Sequence, residues 1–191
     1  MDILVGRVVR LEPLETHHVP DLFDALGNDD EAWRWMLAKT PKSSADMGAF
    51  VETLLQDFLG GRREPYAVIH LQTGRAIGTT SYMDIARADR AVEIGSTIYS
   101  RQYWRTAVNT ESKLLLLTDA FEVQDYLRVS LKTDGENKRS QVAIRRIGGQ
   151  YEGVLRSHKI RVDGSSRDTV YFSILQSEWP AVKLILQKAL E

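Results

Sequence analysis

Residues 91–133 constrain the fold more than any other stretch, because three segments of different periodicity follow one another there without a break. Ala91 to Tyr99 (AVEIGSTIY) is rich in β-branched residues and reads as a strand. Thr110 to Val123 carries leucines at 114 and 117 and at the positions between them, with Phe121 completing the apolar face, and reads as a largely buried helix. Arg128 to Thr133 then reads as a short strand. Strand–helix–strand connections within one sheet are right-handed crossovers between parallel strands in nearly all cases. The helix therefore begins beside a strand end, at about residues 99–110. Free amide N–H groups and the helix dipole point into that place, so it attracts anions.

The flanking segments supply the rest of the sheet. Arg7 to Leu11 (RVVRL) reads as a strand running into Pro13. Thr16 is expected to cap a helix ending near Gly27, with Val19, Leu22, Phe23 and Leu26 at helical spacing. Ser43 or Ser44 opens a second helix with Phe50, Val51, Leu54, Leu55 and Phe58 on one face, stopped by Gly60-Gly61. Tyr66–Leu71, Ala76–Ile85 and Ala91–Tyr99 are separated by the turn signals Thr73-Gly74 and Asp89-Arg90, which predicts an antiparallel meander. Asn137–Ile147 is expected to be a helix stopped by Gly148-Gly149. Tyr151–Val162 and Asp168–Leu175 form a strand pair about Asp163-Gly164, and Ser177 is expected to cap a last helix. At 191 residues, without repeats or a linker, the chain is expected to be one domain spanning 1–191. Its class is α+β, with a mixed, mostly antiparallel sheet of about seven strands flanked by helices.

Composition removes several chemistries. There is no cysteine, which excludes disulfides, thiolate zinc sites and a cysteine nucleophile. His17, His18, His70 and His158 lack metal-ligand spacing, and adjacent side chains on a helix point about 100° apart, so no metal site is expected. The net charge of -1 gives no whole-chain attraction to nucleic acid or membrane. The opening MDILVGRVVRLEPL lacks the basic and apolar regions of a signal peptide, and no apolar run nears the roughly 18 residues of a membrane span. A cytoplasmic protein is expected. Neither G-x-x-x-x-G-K-[ST] nor G-x-G-x-x-G occurs, which argues against a nucleotide-binding α/β protein.

Six stretches, in this order, carry a resemblance: GRVVRLEPL (6–14), EIGSTIY (93–99), YWRTAVNTESKLLLLTDAFE (103–122), LKTDGENKRSQVAIRRIGG (131–149), EGVLRSH (152–158) and RDTVYFSILQSEWP (167–180). Together they resemble the GNAT superfamily of acyl-CoA N-acyltransferases, in particular the branch of ribosomal-protein N-terminal serine and alanine acetyltransferases. The resemblance implies a GNAT-like sheet splayed between its fourth and fifth strands, 93–99 and 128–133, with acetyl-CoA as co-substrate between them. The pantetheine arm would pair with the strand end at Ile98 and Tyr99. The pyrophosphate would rest on the loop 102–108, through Gln102, Trp104, Arg105, Thr106, Ala107 and Val108. The family's loop reads Gln/Arg-x-x-Gly-x-Gly/Ala; Gln102 and Ala107 match its ends, whereas Arg105 stands where the middle glycine is usual. Arginine adopts positive φ only at a cost, so a conventional backbone is expected at Arg105, with its guanidinium reaching a CoA phosphate. As bare sequence, Asn137 is a good N-cap and Ser140 lies one turn inside the helix. The resemblance adds a contact from Asn137 to the CoA arm and brings the Ser140 hydroxyl near the sulfur. Trp104 is expected to pack under the phosphate loop.

Amine attack on a thioester needs a neutral amine, a polarised carbonyl and a leaving thiolate. A carboxylate that takes the amine's proton therefore helps. Glu93 is the leading candidate; strand alternation puts it on one face with Gly95, Thr97 and Tyr99. Asp84 and His158 are the alternatives. Trp33, Trp35 and Met36 fall where the family places acceptor-binding residues, and read more readily as core or pocket wall. The expected activity is acetyl transfer from acetyl-CoA to a primary amine, either a peptide or protein N-terminus or a small amine. A non-catalytic acyl-CoA-binding module is the competing reading, and the departure at Arg105 leaves room for it. A homodimer is expected from family habit and from the long strands 151–162 and 168–175, whose edge needs covering.

Overall fold

Alternating and helical patterning resolve into one sheet with helices on both faces. The computed structural model describes residues 1–191. The strands are β1 (Leu4–Val5), β2 (Val9–Pro13), β3 (Arg63–His70), β4 (Arg75–Ala86), β5 (Ala91–Tyr99), β6 (Arg128–Asp134), β7 (Gln150–Ile160) and β8 (Ser166–Leu175). Their order is β1-β2-β3-β4-β5-β6-β8-β7. Every neighbouring pair is antiparallel except β5–β6. That parallel pair holds only where Ala91, Val92 and Glu93 face Arg128, Val129 and Ser130. Beyond Glu93 the strands part, and residues Ile94–Tyr99 have no strand on that side. This is the expected splay.

The helices are α1 (Val19–Leu26), α2 (Asp30–Trp33), α3 (Ser44–Leu59), α4 (Ala107–Thr118), α5 (Lys138–Arg146) and α6 (Trp179–Lys188). The period of two in the strands divides the core. Ala67, Ile69, Ala76 and Ile98 pack against Leu22, Leu26, Met47, Val51 and Leu54 of α1 and α3. Val9, Leu11, Val68, Ile94, Val129 and Phe172 pack against Val108, Leu116, Leu117, Val182 and Leu186 of α4 and α6.

Some boundaries differ from the sequence expectation. The sheet has eight strands, not seven, because Leu4–Val5 pairs with Arg10 and Leu11; two residues leave no periodic signal. Thr16 is not a cap: it lies in a 3-10 turn, Thr16–His18, preceded by Glu15. Ser177 likewise lies within a 3-10 turn, and Glu178 accepts from the Leu175 amide at 2.8 Å before α6 starts. The short helix α2 went unforeseen, although Asp29 caps it by accepting from the Ala32 amide. The leucine helix starts at Ala107 and closes in a π turn, Asp119–Val123. Ser43 and Asn137 cap their helices as expected.

One long-range anchor ties α4 to the sheet edge. Glu111 is 3% exposed, and its carboxylate accepts from the amides of Arg7 (2.8 Å), Val8 (2.6 Å) and Val9 (2.7 Å). Gly6 makes room for it, since a Cβ there would lie 2.5 Å from the carboxyl carbon.

Candidate active site

Two helix N-termini meet at the gap between β5 and β6. Thr106 caps α4, its hydroxyl accepting from the Val108 amide at 3.3 Å; Asn137 caps α5, its side-chain oxygen accepting from the Ser140 amide at 3.0 Å. The remaining first-turn amides and both dipoles point into the gap. The Asn137 amide group and the half-buried Ser140 hydroxyl complete that wall.

The loop between β5 and α4 corrects one expectation. Arg105 does not keep a conventional backbone: its φ is +61°, the left-handed region that glycine occupies freely. The surroundings hold it there. The Trp104 indole donates to the Tyr99 carbonyl at 3.1 Å, the Thr106 hydroxyl donates to the Tyr103 carbonyl at 2.7 Å, and the Arg139 guanidinium lies 3.5 Å over the Trp104 ring. A non-glycine residue in this region costs roughly 1–2 kcal/mol. Arg105→Gly is therefore expected to stabilise the fold by about 0.5–1 kcal/mol, after glycine's greater freedom in the unfolded chain is deducted. That corresponds to a rise in Tm of roughly 1–4 °C. A lower Tm in calorimetry would show instead that the guanidinium stabilises the loop more than its backbone strains it.

The middle of β5 corrects another. Ser96 has a φ of +49°, and the pairing with β4 slips between Thr79 and Ser81. This bulge reverses the alternation. Glu93 and Gly95 share one face, where a Cβ on Gly95 would lie 2.5 Å from Glu93 Oε1. Thr97 and Tyr99 turn to the α4 face. There the buried Lys113 amine donates to Thr97 Oγ1 at 2.8 Å, and Thr97 bonds Thr80 at 2.8 Å. Burial without a carboxylate partner pulls the Lys113 amine down to about 7.

Glu93 itself is 3% exposed. Burial pushes its carboxyl up to about 7, although Lys132 Nζ lies 2.5 Å from its Oε2. The same lysine donates to Asp84 Oδ2 at 2.8 Å and holds the Asp84 carboxyl below the usual range. Burial alone would lower the Lys132 amine, but the two carboxylates raise it. Lys132 also lies 5.7 Å from the centroid of Tyr171, whose ring is 6.0 Å from His158. A carboxyl that is half ionised near neutral pH, beside an unpaired strand edge, can accept a proton from an attacking ammonium.

A family model described as an acetyltransferase (GNAT) domain matches residues 9–150. The chain belongs to the GNAT acetyltransferases. The eight-stranded, mostly antiparallel sheet is the fold of that family. This GNAT protein is 28% identical over 179 residues to the "Putative ribosomal N-acetyltransferase YdaF" of Bacillus subtilis, covering 91% of this chain and 92% of the relative. A GCN5-related N-acetyltransferase from Brucella melitensis superposes with a TM-score of 0.93 at 32% identity, over 100% of this chain and 86% of that one. Mycobacterium smegmatis RimJ, solved in complex with CoA-disulfide, shares the fold at 19% identity and a TM-score of 0.83, over 98% of this chain and 94% of its own.

In this GNAT acetyltransferase, the residues expected from sequence fall into two groups across the gap. Ile98, Tyr99, Gln102, Trp104, Arg105, Thr106, Ala107 and Val108 run along the end of β5 into α4, and Arg139, between Asn137 and Ser140 at the start of α5, stacks over Trp104. Glu93, Asp84 and His158 come together on the opposite sheet face. Trp33 is core: its indole donates to the Leu26 carbonyl at 2.8 Å and it meets Phe50 edge-on at 4.8 Å. Met36 packs against the same core, and the Arg34 guanidinium lies over Trp35. Lys132 and Tyr171 escaped the sequence reading; each is an ordinary strand residue until the register sets it beside Glu93. The histidines also differ from expectation. The 3-10 turn brings His17 and His18 to 3.9 Å between ring centroids, with Glu12 in reach of both. The Glu15 amide occupies His18 Nδ1 at 3.1 Å and Arg10 pairs with Glu12, so neighbours already engage these groups.

Proposed function

We propose that this protein transfers an acetyl group from acetyl-CoA to a primary amine by direct attack, with Glu93 as the base. The observation that carries the reading is Glu93 itself: a buried carboxyl pushed up to about 7, on the strand whose edge opens immediately beyond it. The pantetheine arm would pair with the free edge of β5 at Ile98 and Tyr99. The pyrophosphate would take the amides of 102–108 that remain free, those of Tyr103, Trp104 and Val108 being already bonded, and the α4 dipole, with Arg105 nearby. Asn137 keeps its side-chain N–H2 for the CoA arm while its oxygen caps α5.

The chemistry follows from those positions. Glu93 takes a proton from the incoming ammonium, and the neutral nitrogen attacks the thioester carbon. Backbone N–H groups at the splay stabilise the oxyanion; such donors are worth about 2.7–4 kcal/mol each in acyl transfer. The C–S bond then breaks with the Ser140 hydroxyl hydrogen-bonding the departing thiolate, and the nitrogen's remaining excess proton passes to that thiolate, leaving the amide and CoA thiol. The acceptor is a peptide or protein N-terminus or a small amine.

Acetyl-CoA at about 100 times its Kd is expected to stabilise the fold by roughly 2.7 kcal/mol. A melting curve unmoved by millimolar acetyl-CoA would sink the reading. Thiol release, screened against peptide N-termini and small amines, then identifies the acceptor class.

We also propose that residues 1–191 act as one catalytic domain and that two copies pair through the β7 edge. β7 is the terminal strand of the sheet, with Tyr151, Val154, Leu155 and Ile160 exposed. An uncovered apolar edge strand is a pairing surface. Light scattering at micromolar concentration is expected to give a dimer mass; a monomer mass removes this part of the proposal.

A further inference from the structure

The face of the sheet that carries Glu93 also carries a buried cation without a hydrogen-bond partner. Arg167, on β8, has a side chain only 10% exposed, and its Nε is buried and unpartnered. The nearest carboxylate oxygen, Asp134 Oδ2, is 3.8 Å away, beyond hydrogen-bond range. Asp134 is already engaged: Arg161 donates to it at 2.7 and 3.0 Å, and the Glu136 amide at 2.8 Å. Burial accordingly depresses the Arg167 guanidinium.

Its neighbours share the condition. Thr169 is 1% exposed with an unpartnered Oγ1, and His158 Nδ1 is buried and unpartnered. Register puts them on one face. Lys132 is opposite Tyr171 and Asp134 opposite Thr169, while Val170, Phe172 and Ile174 fill the core on the other side. Arg167 continues the row of Tyr171 and Thr169, close enough to Glu93 that the carboxylate acts on it electrostatically. The other buried cations on this face have close partners, whereas Lys159, across from Arg167, is exposed to solvent. Arg63 has Asp57 at 3.4 Å and Ser81 at 3.2 Å, and Lys132 has Glu93 and Asp84. Arg167 is the buried cation on this face that makes no hydrogen bond; its one carboxylate, Asp134, stays at 3.8 Å.

A buried guanidinium whose only carboxylate lies beyond hydrogen-bond range is poorly compensated, since buried charges are ordinarily both paired and hydrogen-bonded. A guanidinium holds a carboxylate through two parallel N–H bonds, the strongest geometry available to either group. We propose that the acceptor amine carries a carboxylate, bound by Arg167 with Thr169 and His158 beside it, while its nitrogen faces Glu93. This rests on the acetyl-transfer reading and narrows its acceptor class. The carboxylate belongs either to a free amino acid or to an acidic side chain near a peptide N-terminus.

Thiol release from acetyl-CoA distinguishes the sources through two matched pairs: an amino acid against its carboxamide, and a short peptide with Glu against one with Gln at its second position. In one pair the carboxylate member is expected to show a kcat/KM higher by about tenfold or more. Arg167→Gln is expected to bring that ratio near one without lowering Tm, because the buried guanidinium makes no hydrogen bond in the fold and Asp134 keeps its bonds to Arg161. Equal kcat/KM within both pairs overturns the proposal. So does a lowered Tm with equal losses for both members, the mark of a structural arginine. If no amine is acetylated, the acetyl-transfer reading fails by itself. The carboxylate site is then tested by melting the protein with millimolar amounts of the same four compounds. A Tm rise confined to a carboxylate member and lost in Arg167→Gln supports the site, and no rise overturns it.

Discussion

Glu93→Gln is expected to lower turnover on the order of 10²- to 10⁴-fold while changing acetyl-CoA affinity little. Glutamine keeps the shape beside Gly95 and removes the proton acceptor. Lys132 keeps its bond to Asp84 at 2.8 Å, so the strand retains a partner for the lysine. In the parent, turnover is expected to rise as pH passes through about 7, where Glu93 loses its proton; in the Gln variant that inflection disappears. Stability carries the same signature. Burial raises the folded carboxyl to about 7, above the ordinary glutamate value of about 4.5. Between those values the folded state keeps a proton that the unfolded state has released, so stability falls as pH rises across the window. The Gln variant lacks that fall. Unchanged turnover with an unchanged pH profile would assign the proton transfer to another group.

What the sequence made legible was local. The crossover from Ala91 to Thr133 follows from a change of period, and Ser43 and Asn137 follow from capping chemistry, which needs only the next three residues. What escaped depends on partners far along the chain. Nothing in EIGSTIY announces a bulge at Ser96 except the Gly95-Ser96 pair inside a strand, and strict alternation therefore set Thr97 beside Glu93 when it faces α4. Steric preference argued against positive φ at Arg105. The Trp104 and Thr106 bonds and the Arg139 stack, made across the loop and from α5, outweigh that preference. Lys132 sits in a segment correctly read as a strand, and Arg167 lies one residue before the strand expected at Asp168–Leu175, inside the longer β8. Their importance comes from β8 lying beside β6, and no turn signal specifies that order.

Glu111→Ala is expected to cost roughly 2–4 kcal/mol, because three amides lose their shared acceptor and one of them has no access to water. The Val9 residue is 0% exposed, whereas Arg7 lies at the surface and can rehydrate. A buried donor left unpaired costs about 1–3 kcal/mol, and the half-buried ones less. At about 2–4 °C per kcal/mol for a chain of this size, Tm is expected to fall by about 10 °C. Gly6→Ala attacks the same contact from the other side, since its Cβ would lie 2.5 Å from Glu111 Oε2. Carboxylate and methyl cannot both occupy that space, so this variant is expected to lose stability of the same order. The two changes share one contact and should not add. In the Glu111→Ala background, Gly6→Ala meets no carboxylate and is expected to cost little or to stabilise the turn by restricting the unfolded chain. Thermal melts of the four proteins complete the cycle. Additive losses would mean that Gly6 is required for its own backbone rather than for the approach of Glu111, and that α4 is held to the sheet edge by its leucines alone.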